Sequence, residues 1–154
     1  MIVATSVQAQ AENVWGADAV QLMDELTVEL ARLYNVADGS AGFVPSDVEV
    51  PRAAFVVARI DGVAVGCGAL RPLDADSVEV KRVYTRAAYR RLGVAQAIMQ
   101  ELERLAQEFG YTNIKLQTGP LQPEAAQLYA NTGYYRIPIY HGDWDQILAF
   151  QKDL

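Results

Sequence analysis

The chain has 154 residues, half of them hydrophobic, and a formal net charge of −6, which reads as one domain spanning 1–154 with a full apolar core. A single cysteine, Cys67, excludes a disulfide framework and a Cys-rich metal site. A single histidine, His141, argues against His-ligated zinc and leaves no Ser-His-Asp chemistry beyond that one candidate.

The negative charge disfavours nucleic acid or an anionic membrane surface as partner. No apolar run approaches membrane-spanning length. Residues 1–13 have neither a basic start nor a sufficient apolar stretch for a signal peptide, so a cytoplasmic protein is expected. Ile2 to Val7 reads as a short first strand. Ala17 to Tyr34 reads as a helix with Val20, Met23, Leu26, Leu30, Leu33 and Tyr34 along one face and Asp18 in its first turn. Asn35 to Pro51 carries Gly39, Gly42, Pro45 and Pro51 and reads as a connecting loop. Ala54 to Ile60 and Val63 to Leu70 flank Asp61-Gly62, a hairpin signal. Gly66 and Gly68 share one parity. They either admit a close backbone or ligand, or mark a bulge. Cys67, between them in an apolar run, reads as core and not as a nucleophile.

Val78 to Tyr84, rich in Val and Tyr, predicts the central strand. Its pattern is irregular: Val78 and Val80 share a face, but Val83 has the other parity. One extra residue restores the alternation, so a β-bulge is expected near Lys81 and Arg82. From Ala95 the apolar residues Ala95, Ile98, Met99, Leu102, Leu105, Ala106 and Phe109 fall at helical spacing, and Gly110 supplies a stop. The loop before that helix is Arg90-Arg91-Leu92-Gly93-Val94-Ala95. Unpaired amides at a helix start, cleared by Gly93 and Ala95 and flanked by two arginines, suit a pyrophosphate. The alternative is a strand-to-helix turn that needs Gly93 for its backbone angles. No Gly-Lys-Ser/Thr follows, and the three-glycine dinucleotide fingerprint is missing. Asn113 to Gln117 reads as a strand, broken by Thr118-Gly119-Pro120. Pro123 to Thr132 reads as a helix with Ala125, Leu128 and Tyr129 inward. Tyr134 to Tyr140 and Ile147 to Gln151 read as closing strands around His141-Gly142-Asp143, and Trp144 as a pocket or interface residue or as core.

Two blocks carry a resemblance. Arg90-x-x-Gly93-x-Ala95 after a Val-rich strand is similar to the acyl-coenzyme A signature of the GNAT superfamily of N-acetyltransferases, Arg/Gln-x-x-Gly-x-Gly/Ala. The run from Gln122 through Ala125, Leu128, Tyr129 and Gly133 to Tyr134 resembles that family's Asn-x-x-Ala-x-x-Leu-Tyr-x-x-x-Gly-Phe helix, with Gln122 for Asn and Tyr134 for Phe. The resemblance covers roughly residues 54 to 137. It implies an α/β (α+β) fold with a mixed, mostly antiparallel central sheet, splayed at the cofactor site, and helices on both faces.

It also implies acetyl-CoA as acyl donor, entering between the central strand and the Asn113 strand, with no metal. The amides from Arg91 through Leu92, Gly93, Val94 and Ala95 to Gln96, with Arg90, would hold the pyrophosphate, and Gln122 would add a side-chain contact. Val83 and Thr85 would bind the pantetheine arm by backbone, like an added strand, and the amide beside Val83 would serve the thioester carbonyl. Tyr129 matches the family's acid position, against the alternative of a plain core aromatic. Glu79, just before the expected bulge, is the base candidate, acting directly or through water, against an ordinary exposed strand carboxylate. The acceptor implied is a primary amine on a small molecule, an amino acid or a peptide. Lys81 and Arg82 stand where they would meet an acceptor carboxylate. A non-catalytic acyl-CoA binding or sensing module on the same fold, a longer acyl group, and an oxygen acceptor stay open, as does a homodimer.

Overall fold

The computed structural model describes residues 6–154. Seven strands among the described residues form one sheet in the order β1-β2-β3-β4-β5-β7-β6. They are β1 (Val7–Glu12), β2 (Ala54–Ile60), β3 (Val63–Pro72), β4 (Ser77–Thr85), β5 (Asn113–Thr118), β6 (Tyr135–Ile137) and β7 (Leu148–Asp153). The strand expected over 2–7 falls mostly outside the described residues. The first strand lies later, on Val7–Glu12, where its alternating Gln and Ala gave little signal. Every neighbouring pair is antiparallel except β4 and β5. The sheet is therefore mixed and mostly antiparallel. Asp61 and Gly62 turn the β2–β3 hairpin with positive φ at both residues, 49° and 80°.

Helix α1 (Ala17–Leu33) covers one face of the sheet. Its buried line is Ala19, Leu22 and Leu26, supported by Met23 and Leu30. The expected stripe was rotated too far: Val20 and Leu33 are exposed, because Ala19 and Leu22 take the places against the sheet. Helix α2 (Val94–Glu108) covers the other face through Val94, Ile98, Met99, Leu102, Leu105 and Ala106. Ile98 and Leu102 are fully buried, each worth about 1.5–3 kcal/mol in transfer terms. Helix α3 (Pro123–Asn131) sends Ala125, Leu128 and Tyr129 into the same core. No helix among the described residues is long and apolar enough to cross a membrane.

Gly66 and Gly68 have a packing reason. A Cβ on Gly66 would stand 2.6 Å from the Tyr84 carbonyl and 2.9 Å from Val94, and one on Gly68 would stand 2.7 Å from Ile98. The bare backbone of β3 is the groove into which α2 settles. Gly66→Ala should therefore cost about 1–3 kcal/mol of stability, the range for overpacking a filled core. A denaturant midpoint unchanged from wild type would show that the sheet yields to the added methyl.

The central strand breaks its ladder where the sequence pattern slips. Cys67 pairs with Tyr84 and Ala69 with Lys81, so Arg82 and Val83 together face the single Gly68. Arg82 takes a positive φ of 59°. This bulge turns Val83 toward α2 and Tyr84 toward α1. On its other side β4 pairs with β5 only at Ser77, Val78 and Glu79, opposite Asn113, Ile114 and Lys115. Both strands continue beyond, to Thr85 and Thr118, without pairing to each other. The sheet is therefore splayed at its centre.

Candidate functional site

The open end of the splay has the α2 N-terminus on one side and α3 on the other. A 3-10 turn over Ala87–Tyr89 leads into the Arg90–Gln96 loop. Gly93 is the N-cap of α2, left-handed at φ 83°, with no side-chain cap, and nothing lies within 4 Å of where its Cβ would be. The first helical bond runs from the Ala97 N–H to the Gly93 carbonyl, so the amides of Val94, Ala95 and Gln96 have no partner within the helix. Arg91 is exposed at φ 65°. Arg90 is turned away: its guanidinium donates to the Thr85 carbonyl at 3.0 Å and pairs with Glu29 of α1 at 2.5 Å. The Val94 side chain is core; only its backbone faces the loop. Leu92 and Gln96 are exposed.

Across the splay, Tyr129 is 5% exposed and packs edge-on against Tyr134 and beside Phe150, at 5.7 and 5.9 Å between ring centres. Burial pushes its phenol up to about 12, so the hydroxyl holds its proton at neutral pH. Among the described residues no hydrogen bond engages that hydroxyl. Gln122, at the N-cap of α3, accepts a hydrogen bond from the Tyr34 hydroxyl at 2.9 Å. Tyr34 lies directly over Gly119, where any Cβ would collide with it, and meets Trp144 edge-on at 5.9 Å. Trp144 is 44% exposed, which places it at the surface and not in the core.

Glu79 sits on the α1 face of β4, and the exposed-carboxylate alternative is wrong: it is 1% exposed. Its Oε1 accepts from Arg71 at 2.9 Å and its Oε2 from the Tyr140 hydroxyl at 2.7 Å. Arg71, its cross-strand partner in the register, also reaches Asp47 at 2.7 Å. Burial, then the Glu79 charge, pushes the Tyr140 phenol far up. Tyr140 is held in place by Gln117 of β5, whose side-chain oxygen accepts the Tyr140 and His141 amides. Tyr34, Asp47, Arg71, Gln117 and Tyr140 had no motif to announce them. Asp47 from a 3-10 turn over Pro45–Val48, Arg71 from β3, Gln117 from β5 and Tyr140 from the segment before β7 form one chain of contacts around Glu79, while Tyr34 at the end of α1 meets Gln122.

Arg82 is not free to meet an acceptor. Its positive φ turns the side chain onto the 35–51 segment, where it donates to the carbonyls of Gly39, Ser40 and Ala41 at 3.1, 2.7 and 2.9 Å. Cys67 is buried, its thiol pushed up to about 12 by burial, consistent with a core residue. A cleft of about 490 Å³ opens beside the Glu79 group, between Gly42, Phe43, Asp47, Arg71 and His141. The larger surface groove, about 800 Å³, runs along α1 past Val20, Asp24, Val28 and Tyr84, and neither Glu79, Tyr129 nor the Arg90–Gln96 loop lines it.

An uncharacterized N-acetyltransferase of Bacillus subtilis is 37% identical over 71 residues, 45% of this chain and about half, 47%, of that relative's length. An IAA acetyltransferase of Azospirillum brasilense is 31% identical over 117 residues, 75% of each chain. The structure of a GNAT family acetyltransferase from Elizabethkingia anophelis with acetyl-CoA bound superposes with a TM-score of 0.70 over 96% of this chain and 98% of that one; at 13% identity that likeness speaks to the fold. The family model for the acetyltransferase (GNAT) family matches residues 20–134. With its bulged central strand, its splay and more than two thirds of its length under that match, the chain belongs to the GNAT acetyltransferase family.

Proposed function

We propose that this protein is an acetyl-CoA-dependent N-acetyltransferase that acts on a primary amine by direct attack in a ternary complex, working in the cytoplasm. The observation that most supports the reading is the break in β4 at Arg82–Val83, with the uncapped α2 N-terminus following that strand and the Tyr129 hydroxyl without a hydrogen bond among the described residues. These residues fit coenzyme A, which when bound would supply an acyl thioester. The amides of Arg91 to Gln96 and the Arg91 guanidinium would hold the pyrophosphate. Arg90 would fix that loop through Thr85 and Glu29. Val83 and Thr85 would offer backbone groups to the pantetheine arm, and Gln122 its carboxamide. The amide beside Val83 would donate to the thioester carbonyl oxygen.

Glu79 would receive the amine's proton, directly, through water, or through Tyr140, whose hydroxyl already donates to Glu79 Oε2. Tyr129 would give its phenolic proton to the departing sulfur. One observation favours the alternative of a non-catalytic acyl-CoA binding module: both Glu79 oxygens are already engaged. An amine panel with acetyl-CoA and free-thiol detection separates the two. Thiol release with an amine supports transfer, and tight coenzyme A binding with no release from any amine supports the binding module.

The loop has its own test. Gly93→Val places a branched side chain at a left-handed φ, in the space the pyrophosphate would occupy. Coenzyme A affinity should fall tenfold or more, about 1.4 kcal/mol. Calorimetry on a folded variant showing wild-type affinity would remove these amides from the cofactor site.

A further inference from the structure

Lys81 and Glu79 are two residues apart on β4 and point to the same side of the sheet, toward α1 and the 35–51 segment. Their surroundings differ. Glu79 is neutralised by Arg71, which is shared with Asp47. Lys81 is half-buried, and among the described residues it makes no hydrogen bond and no ion pair. Beside it Arg82 spends its guanidinium on three neutral carbonyls, so it adds positive charge without a counter-ion. Burial pushes the Lys81 ammonium below the ordinary lysine range. Glu79 opposes that shift, and Arg71 and Arg82 reinforce it. A chain of net charge −6 therefore keeps a partly desolvated cation with no direct ion-pair partner among the described residues at the acceptor side of its central strand. Such a group is costly unless something anionic meets it.

Gly42 shows how the cation is reached. It takes a φ of +87°, and a Cβ there would lie 3.5 Å from Lys81 Nζ. The same glycine lines the cleft that holds Phe43, Asp47, Arg71 and His141. Gly42 thus puts no side chain of its own between the ammonium and the cleft. The two residues lie about 6–7 Å apart along the strand. That span suits a molecule whose amine is drawn to the Glu79–Tyr140 pair while its carboxylate meets Lys81.

We propose that Lys81 is a carboxylate-binding residue and that the acceptor is an amino carboxylate, an amino acid or a compound with amine and carboxylate similarly close. This rests on the acetyl-transfer reading above.

The test uses matched pairs: L-amino acids and the corresponding amino-acid amides, with acetyl-CoA, on wild type and on Lys81→Met. Wild type should favour the carboxylate partner of each active pair by tenfold or more in kcat/KM. Lys81→Met should abolish that preference, the acid of each pair losing far more than its amide. It should melt at or above wild type, because it removes an unpaired desolvated cation. Equal rates for acids and amides in wild type, or equal losses on both in Lys81→Met, would overturn the proposal.

Thermal melting of the coenzyme A-loaded protein with the same pairs reads binding apart from turnover. If no amine is acetylated but amino acids still raise the melting temperature of wild type and not of Lys81→Met, the Lys81 site stands and the transfer reading falls. If the pairs differ in neither rate nor melting in wild type, the Lys81 proposal falls.

Discussion

Tyr129→Phe should melt like wild type, bind coenzyme A like wild type, and lose about 10²-fold in single-turnover rate, the usual scale for removing a general acid. The variant keeps the ring that packs against Tyr134 and Phe150 and deletes only an oxygen that makes no hydrogen bond among the described residues. Packing alone therefore predicts no change in any of the three measurements. Because burial holds the phenol up to about 12, the proton is present throughout the neutral and mildly alkaline range. The wild-type rate should show no alkaline decline from this group until pH approaches that value. Full activity in Tyr129→Phe would leave sulfur protonation to water.

Glu79→Gln should reduce turnover at neutral pH by 10²–10⁴-fold, the range for a positioned base. Part of the loss should return at high pH, where the acceptor amine arrives already deprotonated. A stability change must be separated from this. The substitution removes the buried charge opposite Arg71, a loss that typically costs about 3–5 kcal/mol. Arg71 keeps Asp47, and the new amide oxygen can still accept from Tyr140. The cost should therefore fall to about 2 kcal/mol, below that typical range. Rates normalised to the folded fraction that run parallel to wild type at every pH would assign the base to another group.

The parts of this molecule that the sequence declares are those written in consecutive residues. Asp61-Gly62, the α2 stripe, the Gly93 helix start and the Gln122–Tyr134 block each carry their meaning within one short run of consecutive residues. The bulge was legible because a period-2 pattern exposes a single inserted residue: Val83 is out of phase with Val80. The long-range partners of Glu79 and Gln122 were not legible. Tyr140 reaches Glu79 across 61 positions, and Tyr34 reaches Gln122 across 88. Nothing local marks such partners, since polar residues in a strand or before a turn are commonplace until the fold brings them together. The alternative of an exposed carboxylate at Glu79 stayed open for the same reason. The burial of Glu79 depends on Arg71 from the neighbouring strand and on a loop that contributes Asp47. The α1 stripe failed differently: with Val20 and Leu33 both apolar, periodicity alone did not favour the small Ala19 as the residue facing the sheet.

Arg82 joins two parts of the protein that would otherwise vary independently. Its backbone makes the break in β4, while its guanidinium grips the 39–41 segment by carbonyl oxygens. A grip on main-chain atoms takes no account of the side chains they carry. Exposed positions such as Ser40 and Ala41 can therefore be exchanged without loosening the hold, and the surface of that segment can be rewritten while the break in β4 stays fixed. A library randomised at those positions keeps its anchor, whereas one that touches Arg82 alters the strand break and the held segment at once.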